Sequence, residues 1–294
     1  MKKPLALIAL LAALALAASA CGGGSSSSGG GETEAAAGEA TGASAAACTP
    51  ESMETQSSGT LTVATDKPAY PPYFEDDEPA NGEGFESAVA YAIAKQLGYA
   101  PGDVKWTVEP FNASFAPGQK NFDFDVNQIS ITPQREKAVD FSAPYYTANQ
   151  AVVALKGSEA ANAKSLADLK SADLGVQVGT TSLEAVEQEI EPDSAPEVFN
   201  SSNDVVQALK NKQIDAVVVD LPTALYLTAV QVPTATVVGQ FEAPGGDQWG
   251  ALLAKDSPLT ACVSQAIEEL EESGELEKIT QRWMSQGRGA LNWG

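Results

Sequence analysis

Two short stretches, Leu174-Gly-Val-Gln-Val-Gly-Thr-Thr-Ser-Leu-Glu184 and Ile214-Asp-Ala-Val-Val-Val-Asp220, decide how this chain folds. Each opens with a β-rich apolar run and closes on polar residues suited to start a helix. Thr181-Ser-Leu-Glu184 has the spacing of a capping box, which satisfies backbone donors at a helix start. Ser202-Asn203 supplies cap residues for a helix carrying Val205, Val206 and Leu209. With strands predicted at Gln150 to Leu155 and Glu197 to Asn200, this unit alternates strand and helix from about Ala151 onward. Such alternation implies a parallel sheet covered on both faces.

Upstream, Leu61-Thr-Val-Ala-Thr65 reads as a strand. A helix follows, in which Phe85, Val89, Ile93 and Leu97 repeat every four residues until Gly98 ends it. Val104 to Val108 and Phe122 to Ile131 read as further strands. Between them, Pro117 keeps any helix within Pro110 to Lys120 short. Downstream, Ser257-Pro258 starts a helix through Leu270 that stops at Ser273-Gly274, and a last helix carries Leu276, Ile279 and Trp283. Two terminal helices in sequence need an apolar face to cover. Packing them on the first unit gives an α/β protein of two lobes: residues 48–148 with 249–294, and residues 149–248. Thr147 to Ala151 and Gly246 to Ala251 are the candidate crossing strands.

The N-terminal region sets the expected compartment. Lys2 and Lys3 precede an apolar run from Leu5 to Ala18, which is short against the roughly 20 residues a membrane span needs. Residues 1–20 read as a secretion signal, and Leu16-Ala-Ala-Ser-Ala-Cys21 resembles the bacterial lipobox, whose cysteine is acylated. Ala18 stands where that motif usually has leucine. The expected location is extracytoplasmic, with lipid on Cys21 anchoring the protein to the membrane. Residues 21–47 are mostly Gly, Ser, Ala, Glu and Thr, a tether composition with a typical reach of roughly 30 Å.

The 294 residues include 39 acidic and 17 basic ones and no histidine, a net charge of −22 that excludes a nucleic-acid partner requiring phosphate neutralisation. With Cys21 lipidated, the remaining two of three cysteines, Cys48 and Cys262, are a possible pair in an oxidising compartment. The alternative is two separate thiols. A bridge between them would close a loop worth roughly 5 kcal/mol in the chain-entropy treatment.

Open parallel sheets bind ligands beyond the C-terminal ends of their strands, where helix N-termini also point. Four places lie there: Asp66, Asn127 to Arg135, Gly179-Thr180-Thr181, and Asp220. A zwitterionic ligand stripped of water needs an opposite charge at each end. Arg135 offers a planar fork for a carboxylate, the Thr180-Thr181 turn offers backbone N–H groups, and Asp220 offers a counter-charge for an ammonium. Singly, each has a plainer reading. Arg135 beside Glu136 and Lys137 suits a solvated surface, and Asp220 before Leu221-Pro222 suits a helix cap.

The set Leu61-Thr-Val-Ala-Thr-Asp66, Gly84-Phe-Glu86, Ile129-Ser-Ile-Thr-Pro-Gln-Arg135, Val139-Asp-Phe-Ser-Ala-Pro-Tyr145, Val178-Gly-Thr-Thr181, Ile214-Asp-Ala-Val-Val-Val-Asp220 and Ser273-Gly-Glu-Leu-Glu-Lys-Ile279 points further. In that order it resembles the polar amino-acid solute-binding proteins of ABC importers, family 3, over about Gly59 to Gln286. The resemblance implies the type II periplasmic-binding fold. It implies that Arg135 and Thr181 hold a ligand carboxylate with Ser130 and Thr180 assisting, and that Asp220 holds the α-amino group. Asp66 and Tyr70 would face the ligand side chain. Asn127 and Gln128 stand where the family often has small hydroxyl residues, so their amides would line the pocket and favour a polar ligand. Tyr70-Pro-Pro-Tyr-Phe74 suits either a stacking surface for the ligand or a rigid turn with its rings tucked into the lobe.

Two places depart from the family pattern. Phe111 to Lys120 is shorter and richer in proline, and Asp125 has no counterpart, although Asp123 does. An extra carboxylate near the cleft would favour a cationic ligand; a surface salt bridge is the other reading of Asp125.

The expected activity is capture of a polar or basic amino acid by hinge closure and its delivery to permease and ATPase subunits. No cofactor or metal is implied, and a monomer is the expected state. Two other readings share the fold. A sensor subunit would have identical binding chemistry, and an exported dehydratase would have to run acid–base steps without histidine, on carboxylates, lysine or tyrosine.

Overall fold

The computed structural model describes residues 48–284 and 291–293. The secretion signal, the tether and the lipidated Cys21 expected from the sequence lie outside the described residues. Among the described residues no helix is long and apolar enough to cross a membrane.

In chain order the elements are β1 (Leu61–Thr65), α1 (Phe85–Gln96), β2 (Val104–Val108), α2 (Phe111–Ser114), β3 (Phe124–Asp125) and β4 (Val139–Ala148). There follow β5 (Gln150–Leu155), β6 (Leu174–Gln177), α3 (Thr181–Ala185), β7 (Glu197–Phe199), α4 (Ser202–Lys210), β8 (Ala216–Asp220), α5 (Leu221–Tyr226) and β9 (Ala235–Phe241). The last are β10 (Asp247–Ala254), α6 (Thr260–Glu272) and α7 (Glu275–Met284). They form two five-stranded sheets, ordered β2-β1-β3-β10-β4 and β7-β6-β8-β5-β9.

The apolar run before Asp220 is explained by the second sheet, whose two faces are both covered. Successive side chains of a strand point to opposite faces. Ala151 and Val153 of β5 join Val217 and helix α4 on one side, while Val152 and Ala154 join Ala216 and Val218 on the other. In the first sheet, Leu61 and Val63 face a core closed by α1, α6 and α7, and Ala64 faces a small cluster with Phe122, Ile129 and Leu252. The two terminal helices therefore cover the first sheet, as their sequence position predicts.

Each sheet is mixed rather than parallel throughout. β1 pairs in parallel with β2 and β3, but β10 runs antiparallel to β3 and β4. Likewise β6 is parallel to β7 and β8, while β5 is antiparallel to β8 and β9. The antiparallel members are the strands that adjoin the crossings, and they enter from the other lobe.

The first crossing is the single residue Asn149 between β4 and β5, inside the predicted Thr147 to Ala151. The second runs through residues 242–246 and meets the predicted Gly246 to Ala251 only at Gly246, because Asp247 already pairs with Ala148 in the first sheet. Phe122 to Ile131 is also shorter as a strand than its composition suggests. The continuous strand is only Phe124 and Asp125, since Gln128 turns into the left-handed region at φ 50° and breaks the run, and Ser130 rejoins the sheet as an isolated bridge to Trp249. At the other end, Leu291 to Trp293, grouped with the first lobe by sequence, lie along β9 of the second sheet. Gln240 donates its backbone N–H to Leu291 O at 2.7 Å, and Trp293 returns one to Gln240 O at 2.9 Å.

Cys48 and Cys262 are joined, with their Cα atoms 5.4 Å apart. The bond fastens the start of the described chain to α6, across 214 residues of sequence. Replacing both cysteines by serine lifts that restraint from the unfolded chain. The variant is expected to melt about 10 °C lower by circular dichroism, and an unchanged midpoint would show that the link contributes nothing to stability.

Candidate functional site

A cavity of about 470 Å³ opens between the two sheets, at the C-terminal ends of β1 and β8 and the N-termini of α3 and α5. That is within the range of small-molecule sites, roughly 300–1,000 Å³. Asp66, Tyr70, Asn127, Gln128, Ser130, Arg135, Thr180, Thr181 and Asp220 all line it. The structure thus brings together residues that are 154 positions apart at the extremes, Asp66 and Asp220, on one wall system.

Arg135 is buried, and its guanidinium lies over the rings of Phe115 and Phe111, 4.6 and 5.5 Å from their centroids. Nη1 donates to Ser130 O at 2.7 Å, and Nη2 donates to Gly179 O, on the opposite lobe, at 2.9 Å. Among the described residues no carboxylate forms an ion pair with it. Burial pulls its pKa below the ordinary value, against the fields of Asp247, Glu184 and Asp220. The solvated-surface reading of Arg135 is therefore corrected: the short turn Arg135 to Lys137 directs it inward. A buried cation held by carbonyls alone retains donors for an incoming anion.

The Asn127 to Ser130 loop is shaped from behind. Glu86, fully buried in the first turn of α1, accepts the backbone N–H of Gln128 at 2.7 Å, the Gln128 side-chain amide and the Tyr145 hydroxyl. These bonds hold Gln128 in the left-handed conformation, which costs a non-glycine residue about 1–2 kcal/mol. Glu86 itself is placed by Gly84. At φ 98° a side chain there would be strained, and a Cβ would stand 2.4 Å from Tyr73 O. Asn127 is buried, with no partner for Nδ2 among the described residues.

On the second lobe, Thr180 is the N-cap of α3, accepting from Leu183 N at 3.3 Å and donating to Gln177 O at 2.8 Å. The sequence predicted the cap one residue later. Because Thr180 caps, the hydroxyl of Thr181 turns to the site, donating to Asp247 Oδ2 at 3.1 Å and lying 3.4 Å from Ser130 Oγ. Asp220 precedes α5 but makes no side-chain cap, so the cap reading is also corrected. Its Oδ1 accepts from Gln150 Nε2 at 2.6 Å. Burial and then the field of Asp247 push its pKa well up, opposed by the Gln150 hydrogen bond and Arg135.

The Tyr70 to Phe74 run divides between its two readings. Tyr73 and Phe74 are buried in the first core, whereas Tyr70 lines the cavity and meets Tyr226 in a tilted ring contact, with centroids 6.0 Å apart. Tyr70 Oη donates to Asn203 Oδ1 at 2.7 Å, and the Tyr73 and Thr223 hydroxyls lie 2.8 Å apart, so both tyrosines bridge the lobes. Asp66 accepts from Lys67 N at 2.7 Å and Phe111 N at 3.2 Å, tying the loop after β1 to α2. Asp125 is fully buried, does not line the cavity and makes no ion pair among the described residues, which removes the surface salt bridge. Burial, reinforced by the field of Glu86, pushes its pKa well up.

Sequence reasoning missed Gln150 and Asp247. Gln150 Nε2 donates to both Asp220 and Asp247, so the two crossings are joined beneath the cavity. Nothing local marks them: Asp247 follows Gly245-Gly246 and reads as a turn residue, and Gln150 opens an ordinary strand. Glu86 was visible only as part of a helix-opening motif.

The chain has known relatives. It is 34% identical over 218 residues to the arginine-binding extracellular protein ArtP of Bacillus subtilis, covering 72% of this chain and 82% of that one. It is 31% identical over 228 residues to the L-cystine-binding protein TcyJ of Escherichia coli, covering 76% and 82%. The structure of an ancestral arginine-binding protein bound to arginine superimposes with a TM-score of 0.63 at 35% identity, over 76% of this chain and 98% of that one. The profile of the bacterial extracellular solute-binding proteins, family 3, matches residues 61–286, and the chain belongs to that family.

Proposed function

We propose that this protein binds a free amino acid with a hydrogen-bond-donating side chain, a cationic one foremost, and delivers it to the permease and ATPase subunits of an ABC importer. The observation that carries the reading is Arg135, buried and without a paired anion among the described residues, lining a cavity that Asp220 also lines. An α-carboxylate completes the first and an α-ammonium the second. Thr181 and Ser130 stand beside Arg135 to share the carboxylate. Asp66 and Gln128 offer acceptor oxygens to the side chain, and Tyr70 with Tyr226 supplies a ring surface. The relatives named for arginine support the cationic choice.

The mechanism is closure. Arg135 with Gly179, Tyr70 with Asn203 and Tyr73 with Thr223 each join one lobe to the other. A ligand touching both lobes favours that state by its differential affinity. In this reading the protein works as a monomer outside the cytoplasm, held to the membrane by lipid on Cys21. It binds without turnover, needing neither cofactor nor metal.

Calorimetry with L-arginine tests the assignment. Arg135→Ala is expected to lose about 3 kcal/mol or more, over a hundredfold in Kd, because the ligand carboxylate is left buried and unpaired. Near-normal affinity would remove the carboxylate role. Asp220→Asn tests the other end by proton release. Asp220 has a raised pKa when the cavity is empty, and an ammonium favours its ionised form, so binding should expel protons and weaken as pH falls through that raised value. Titrations in buffers of different ionisation enthalpy should show fewer protons released by Asp220→Asn than by the wild type, together with weaker binding. Equal release would place the proton elsewhere.

A further inference from the structure

Glu86 does not line the cavity, yet its carboxylate decides which atoms the Asn127 to Ser130 loop can show a ligand. All three groups hydrogen-bonded to it donate. Oε1 takes the backbone N–H of Gln128 and the hydroxyl of Tyr145, and Oε2 takes the side-chain Nε2 of Gln128. An ionised carboxylate can only accept, so the Gln128 amide must present its nitrogen to Glu86 and turn its carbonyl oxygen the other way. Gln128 lines the cavity, and that oxygen takes no hydrogen bond from the described residues.

We propose that Glu86 is a positioning residue for ligand selection: ionised, it orients the Gln128 carbonyl as an acceptor toward the ligand side chain, and protonated, it reverses that amide into a donor. The inference rests on the amino-acid reading of the cavity. The backbone N–H of Gln128 cannot turn, so Oε1 stays an acceptor and an added proton goes to Oε2. There it meets Nε2–H, and the amide relieves the opposition by rotating its oxygen inward. The cavity then shows an NH₂ group, which suits a carboxylate side chain better than a guanidinium.

Both states are within reach. Burial pushes the Glu86 pKa up to about 7, against the hydrogen bonds from Tyr145 and Gln128. The titratable groups facing it are Tyr145 on β4, Asp125 on β3, Tyr73 ahead of α1 and Asp220 on β8, none of them cationic.

The test combines side-chain amide NMR with calorimetry, using L-arginine and L-glutamate as probes at about pH 8.5 and about pH 5.5, either side of the Glu86 value. The wild-type Gln128 NH₂ resonances should titrate without ligand near the Glu86 value, and the preference for arginine over glutamate should fall roughly tenfold in acid. In Glu86→Gln the Gln128 titration should vanish, and the arginine preference should lose the component that follows it. Tyr145→Phe, which removes one bond to Oε1 and leaves Gln128 in place, should move the midpoint upward and serves if Glu86→Gln does not fold. Gln128 resonances that ignore pH, or a midpoint unmoved in Tyr145→Phe, would overturn the role of Glu86. If neither probe binds the wild type while Gln128 still titrates, the functional reading fails and the positioning of the amide stands.

Discussion

A guanidinium lies out of water against two phenylalanine rings, donates to two carbonyls and has no carboxylate paired with it among the described residues. Most of the molecule is arranged around that imbalance. Removing a charge from water is costly unless other groups replace its hydration. Here the rings and the Ser130 and Gly179 carbonyls replace part of it. The remaining capacity is directional, because the guanidinium is a planar fork and Arg135 lines the cavity. The Gly179 bond also ties the cation to the opposite lobe, so the same side chain joins the two halves of the cleft.

The surrounding acids follow the same logic from the other side. Asp220, Asp247 and Glu86 are withdrawn from bulk water in a chain already rich in negative charge, and each is held by neutral donors rather than by a lysine or arginine. Neutral donors orient an acid without cancelling its field. Their fields stay uncancelled, and burial holds the Glu86 and Asp220 carboxyls above the usual carboxylate range. Gln150 has a central place in this because one amide nitrogen serves two carboxylates, one from each side of the crossings.

How much of this could be read from the sequence depended on the range of the interaction responsible. Strand β8 was legible from Ile214 to Val219 because both faces of its sheet are buried, and α1 from the four-residue repeat of Phe85, Val89, Ile93 and Leu97. Those are local consequences of burial. The cavity residues were legible as a group, through an ordered set of motifs, although Arg135 and Asp220 each had an ordinary reading in isolation. What escaped was set by contact between distant segments. Gln150 meets Asp247 only because the two crossings lie side by side, and the end of the Phe122 to Ile131 run was decided by Glu86 bending Gln128 out of the sheet. Leu291 to Trp293 were assigned to the wrong lobe because nothing in three residues indicates that an edge strand half a molecule away will accept them.

That last contact separates the two ends of the described chain. Cys48 is bonded to α6 on the first sheet, and Trp293 lies against β9 of the second, over Gly239, where a Cβ would collide with its ring at 2.4 Å. The ends therefore ride on different halves of the molecule. A donor dye near residue 48 and an acceptor near residue 293 would report opening as a change in energy transfer, leaving every side chain of the cavity native.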